Sequence, residues 1–101
     1  MVGIRVLVWD KIALDHLKDI YDSLKTVDNL DFAKEVKSAI LKTSMELVAN
    51  PYIYEQDRFK FDNDGSFRAF VKFKYRVGYK ITDTQIRILR VRHTSREPIE
   101  F

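Results

Sequence analysis

The 101-residue chain contains no cysteine, only three glycines, two prolines and two histidines. Without cysteine there is no disulfide framework, no thiolate metal ligand and no thiol nucleophile, a composition that suits a reducing compartment. Glycine is too sparse for a phosphate-cradling loop, and no Gly-x-Ser-x-Gly nucleophile turn occurs. The two histidines, His16 and His93, lack metal-binding spacing. Asp62-Asn63-Asp64-Gly65 has the look of part of a calcium loop. Lys60 stands where an oxygen ligand is needed, however, and Val71 where the closing glutamate belongs, so the segment reads as a turn. Nothing in the chain calls for a metal or a cofactor. No stretch approaches the roughly 18 apolar residues of a membrane span, and the opening Met1-Val2-Gly3-Ile4-Arg5-Val6 lacks the apolar run of a signal peptide. There is no repeat and no low-complexity tract. These absences lead to the expectation of one cytoplasmic domain over residues 1–101.

What is present is a globular balance of 46% hydrophobic and 33% charged residues with net charge +3. The charge is unevenly spread. Residues 1–57 hold seven Lys/Arg against ten Asp/Glu, whereas residues 58–96 hold eleven against three. A basic C-terminal half predicts an anionic partner there.

Hydrophobic periodicity gives the elements. Residues 3–8 read as a short strand. Asp10 is placed to cap a helix, and Ala13, Leu17, Ile20, Tyr21 and Leu24 follow at helical spacing. His16 falls on the polar side of that helix, where exposure is expected. Residues 26–31 form a polar turn, with Asp28 or Asn29 as the next cap. Ala33, Val36, Ile40, Leu47 and Val48 mark a second helix, ended by Asn50-Pro51. Residues 52–64 read as a connection with a short strand near 58–61. Strands are expected over 66–74, 75–82 and 85–93. The predicted fold is therefore α+β, in the order β-α-α-β-β-β. An N-terminal strand and an antiparallel helix hairpin precede a three-stranded antiparallel meander, and the helices pack on one sheet. Gly78, inside a strand, marks a bulge or a close approach to the backbone.

Candidate functional residues lie in the last three strands. In Arg68-x-x-x-Lys72-x-Lys74-x-Arg76, strand alternation puts Arg68, Phe70, Lys72 and Lys74 on one face. A row of cations around an aromatic suits a phosphate backbone with a stacked base; an ordinary solvated sheet face reads equally well. Alternation in the last strand groups Ile86 and Ile88 with Arg90 and Arg92, and Arg87, Leu89 and Val91 with His93. Arg90, Arg92, His93 and Arg96 are thereby expected around one end of the sheet. Lys72, Lys74, Arg76, Arg90 and Arg92 are the candidate target- or nucleic-acid-binding set. His93 has the residue type for acid–base work, and equally for a structural or phosphate contact.

Two segments resemble those of RelE/ParE toxins from bacterial type II toxin–antitoxin systems. One is Tyr75-Arg76-Val77-Gly78-Tyr79-Lys80-Ile81-Thr82-Asp83, followed by Ile86-x-Ile88-Leu89-x-Val91-x-His93-x-x-Arg96. The other is Trp9-x-x-x-Ala13-x-x-x-Leu17-x-x-Ile20-Tyr21, the family's first helix. Ala33, Ile40 and Asn50-Pro51 fit the second helix and its exit. The resemblance implies a toxin neutralised by a cognate antitoxin, whose flexible segment wraps it in a hetero-oligomer. It implies one of two targets. ParE-like members bind and poison DNA gyrase. RelE-like members cleave mRNA in the ribosome, and a member of that kind would draw its catalytic groups here from Arg68, Arg76, His93 and Arg96. The His93-x-x-Arg96 ending is closer to ParE-like members. The final Pro98-Ile99-Glu100-Phe101 lacks the tyrosine or histidine that many cleaving members carry there, so ParE-like action is the expectation.

Overall fold

A computed structural model describes residues 4–96. Its elements, in chain order, are β1 (Val6–Trp9), α1 (Lys11–Val27), α2 (Leu30–Glu46), β2 (Phe67–Lys72), β3 (Tyr75–Ile81) and β4 (Gln85–His93), with a single 3-10 turn, Thr94–Arg96, at the end. The expected β-α-α-β-β-β order holds. The terminal Pro98-Ile99-Glu100-Phe101 lies outside the described residues.

The four strands form one sheet in the order β1-β4-β3-β2. The meander β2-β3-β4 is antiparallel, and β1 joins the far side of β4 in parallel, so the sheet is mixed. Parallel neighbours cannot be joined by a tight turn, and here the helix hairpin and the other two strands lie between β1 and β4 in the chain. The anticipated strand near residues 58–61 does not form. Residues 55–57 instead run along the edge of β2 through one isolated bridge, Gln56 to Arg68, with Asp57 N donating to Phe67 O at 2.9 Å.

The helices cover one face of the sheet. Ala13, Leu17, Val36, Ile40 and Leu47 meet Phe70, Val77, Tyr79, Ile81, Ile86, Ile88 and Val91 in a single core. Ala13 and Ala33 are fully buried, small residues where the helices approach their neighbours most closely. Asn29 caps α2 as expected, its Oδ1 accepting from Phe32 N at 2.7 Å. Asp10 occupies the N-cap position of α1 but makes no cap bond. Its carboxylate is taken by Arg87 of β4, with Nη2 at 2.6 Å and Nε at 3.2 Å. That pair ties the entry of α1 to the strand beneath it.

One residue changes the phase of β4. Gly78 pairs with Arg90 and Tyr79 with Ile88, which leaves Leu89 as the extra residue of a β-bulge. Before the bulge the even residues Ile86 and Ile88 face the helices. After it the odd residues Val91 and His93 do so, opposite Val77 and Tyr75. Simple alternation, which grouped Arg90 and Arg92 with Ile86 and Ile88, fails at this point. Arg90 turns to the open face with Arg87, while Arg92 lines the cavity beside α1 at the end of β4.

Candidate functional site

The register divides the predicted cationic residues between two faces. Arg68, Phe70 and Lys72 do share a face, opposite Tyr79, Val77 and Tyr75, but it is the face the helices cover. Phe70 is 2% exposed within the core, so no base can stack on it. Arg68 is spent locally: Nη1 donates to Tyr54 O at 2.8 Å, Nε to Gly65 O at 3.1 Å, and the guanidinium lies 5.0 Å from the Tyr52 ring centroid. Lys74 falls in the two-residue turn after β2 rather than in the strand, beside Phe73 at φ 55. Arg90, expected as a surface contact, is only 8% exposed. Its side chain and that of Asp57 close over Gly78, where an added Cβ would lie 3.3 Å from Asp57 Oδ2 and 3.6 Å from Arg90 Cγ. Both readings of Gly78 hold: it adjoins the bulge, and two side chains approach its backbone.

The open face carries the cation–aromatic array that was expected on the other side. Phe59 lies between Arg58 and Arg76, whose guanidinium carbons are 4.9 Å and 5.0 Å from its centroid. Phe67 carries Lys60 at 4.7 Å and Lys80 at 5.0 Å. Arg87 extends the positive surface along β4. The segment 57–67 supplies much of this array, because Asp57 organises it. Its Oδ1 accepts from Phe59 N at 3.0 Å, and its carbonyl accepts from Lys60 N and Asn63 Nδ2. A loop with little hydrophobic period gave no sign of such an arrangement beyond its composition.

At the far end of the sheet, a cavity of about 520 Å³ opens between α1 and the last residues of β4. It gathers Arg92, His93 and Arg96, the grouping anticipated at one sheet end, and adds Tyr75, Asp19 and His16. His16 was expected to be exposed and idle. Its Nδ1 instead accepts from Val91 N at 3.1 Å, closing the edge of β4 beyond the point where β1 stops. Burial, and then the charge of Arg92, hold its pKa below the usual histidine value. Spacing along the sequence could not have revealed this, because the bond spans 75 residues and depends on how α1 lies across the sheet. His93 packs edge-on to Tyr75 with centroids 5.3 Å apart, and its Nδ1 accepts from Ser95 N at 3.1 Å. Among the described residues, no group of three or more His, Cys, Asp or Glu side chains is placed to hold a metal ion, and no helix is long and apolar enough to cross a membrane.

A four-stranded mixed sheet with a helix hairpin on one face and cations on the other defines the RelE/ParE class of small toxins. The fold is similar to that of the chromosomal ParDE system of Pseudomonas aeruginosa, with a TM-score of 0.72 and 16% identity over 89% of this chain and 96% of that one. It is also similar to the RelBE2 toxin–antitoxin complex of Mycobacterium tuberculosis, with a TM-score of 0.61 and 17% identity over 90% and 99% of the two chains. The YoeB dimer of Staphylococcus aureus gives a TM-score of 0.57 and 14% identity over 90% and 98%. No curated protein sequence matches the chain directly. The family model described as the ParE toxin of the type II toxin–antitoxin system parDE matches residues 7–98. The chain belongs to this family of type II toxins.

Proposed function

We propose that the chain acts by binding rather than by cleavage: a ParE-like toxin that poisons DNA gyrase and is held inactive by a cognate antitoxin. The observation that carries this reading is that Arg68 and Arg76, two of the cations a nuclease would need, lie apart from His93 and Arg96. A ribonuclease of this class requires cations at the developing phosphorane and a proton acceptor beside the 2′-hydroxyl. Arg68 sits level with Ile88 and His93 level with Tyr75. Four residues of β3 separate those levels, on the order of 13 Å at the usual rise. Arg76 points to the opposite face from both. His93 is held with Nδ1 accepting a backbone N–H. Its neutral ring therefore carries the proton on Nε2, where it can donate a hydrogen bond but cannot accept a proton.

A gyrase supercoiling assay with the purified, folded chain tests the proposal. Inhibition that the antitoxin reverses is expected, and in cells DNA-damage signalling should precede the fall in protein synthesis. Normal supercoiling with toxin in excess would overturn it. The Phe59 array favours a second reading, a RelE-like mRNA endonuclease, since two guanidinium groups stacked on an aromatic suit a nucleic-acid strand. That reading requires His93→Gln and Arg76→Ala, in variants shown to be folded, to abolish toxicity, with cut transcripts on ribosomes in the parent. Unchanged toxicity in both variants removes it.

A further inference from the structure

The cleft between α1 and the end of β4 gathers several hydrogen-bond donors and one carboxylate acceptor. His16 and His93 each accept a backbone N–H at Nδ1, so both rings carry their proton on Nε2 and can donate from it. Arg92 and Arg96 add two guanidinium groups, and Nε of Arg92 is buried without a hydrogen-bond partner. Burial first, and then the nearby charge of Arg92, hold the His16 pKa below its usual value. Asp19, one turn along α1 from His16, supplies the acceptor, an exposed carboxylate. Tyr75 contributes an aromatic surface. The volume of about 520 Å³ falls within the roughly 300–1,000 Å³ of small-ligand sites.

We propose that this cleft is a binding site for a nucleoside monophosphate, with the phosphate on His16, His93, Arg92 and Arg96 and the ribose hydroxyls on Asp19. Guanidinium forks and neutral N–H donors match the oxygens of a phosphate monoester. An acceptor-only carboxylate matches vicinal hydroxyls, the role acidic residues play toward ribose in dinucleotide sites. Asp19 also sets the selectivity, because a bare phosphate meets its repulsion with no hydroxyl to offset it. The cleft lies at the sheet end, apart from the Phe59 array, and the inference does not depend on the toxin's target. The phosphate can belong to a free nucleotide or to the end of a nucleic-acid strand, and the test separates the two.

Isothermal titration of the full chain with uridine monophosphate, inorganic phosphate, uridine and a 5′-phosphorylated trinucleotide reads this directly. The mononucleotide is expected to bind, inorganic phosphate at least about tenfold more weakly, and uridine not at all. Arg96→Ala, on the exposed turn, should weaken the nucleotide on the order of tenfold through loss of a charge-assisted bond. Asp19→Asn should weaken the nucleotide while leaving inorganic phosphate unchanged or tighter. Absence of nucleotide binding by folded protein would overturn the proposal, as would equal affinities for nucleotide and inorganic phosphate. An Asp19→Asn variant that loses both ligands alike would also overturn it. A trinucleotide bound more than tenfold tighter than the mononucleotide would assign the phosphate to a nucleic-acid strand, overturning the mononucleotide assignment.

Discussion

Gly78 shows how a single position joins strand geometry to the charged face. It adjoins the bulge and lies beneath Asp57, which is 1% exposed, and Arg90. Asp57 Oδ1 accepts from Phe59 N and its carbonyl from Lys60 N and Asn63 Nδ2, so the side chain has little freedom to move without losing those bonds. A methyl group at Gly78 would meet it at 3.3 Å, and the neighbour would have to give way. Gly78→Ala is expected to cost about 1–3 kcal/mol, the usual range for overpacking a filled site. Urea denaturation of the two proteins checks this. His16 yields a prediction of a different kind. Its folded pKa lies below the unfolded value of 6.5, through burial first and then Arg92, with Arg90 acting in the same direction and Asp19 and Asp15 opposing it. Neutral His16 therefore contributes stability that is fully present above pH 6.5. That contribution is lost as pH falls from there toward the folded pKa, because the unfolded chain takes up the proton first. His93 faces the same cleft and remains in the variant, so the comparison isolates His16. Between pH 7.5 and 5.5 the parent should lose more stability than His16→Gln. Parallel pH profiles would show that the bond to Val91 is not coupled to titration.

At the scale of elements, the loop after α2 is fastened to the sheet by one side chain. Tyr79 is fully buried in β3, and its hydroxyl donates to Pro51 O at 2.8 Å. Tyr79→Phe keeps the packing and orphans a buried carbonyl, which costs about 1–3 kcal/mol. Hydrogen exchange should show residues 47–57 opening more readily than the rest of the sheet; uniform change would mean the bond does not anchor the loop. The elements themselves were legible because each rests on a local period. The stripe Ala13, Leu17, Ile20, Leu24 faces the core, Asn29 caps α2, and residues 85–93 match β4 end to end. The faces were less legible. Alternation gives two sides but does not say which one the helices will cover, so the Arg68-Phe70-Lys72 row was assigned to solvent when it belongs to the core side. The bulge at Leu89 then turned Val91 and His93 toward the helices and Arg90 away from them. The parallel place of β1, the lid over Gly78 and the bond from His16 to Val91 all arise from contacts distant in sequence, which no local pattern encodes.

For the whole molecule, the two faces separate stability from recognition. Apolar surface is spent between sheet and helices, and the basic half of the sequence is displayed at the sheet end and on the open face. That division governs how an antitoxin would engage. Lys72 is half-buried and Lys74 exposed, both at the end of the β2–β3 hairpin, close in register to Arg76 and Arg92. An acidic, amphipathic antitoxin segment would be steered to this end by charge and retained by its apolar side chains. A segment that orders only on binding gives up conformational entropy but wraps a large surface, and proteolysis of the free antitoxin would release the toxin. Neither Lys72 nor Lys74 belongs to the buried core, and circular dichroism of the double variant checks that the fold is kept. The double variant should associate with the antitoxin on the order of tenfold more slowly at low salt, with a smaller effect on dissociation. Its on-rate should also respond less to ionic strength, because the attraction that salt screens has been removed. Stopped-flow association at several salt concentrations measures both quantities. On-rates and salt slopes equal to those of the parent would place the antitoxin's acidic segment away from this end of the sheet.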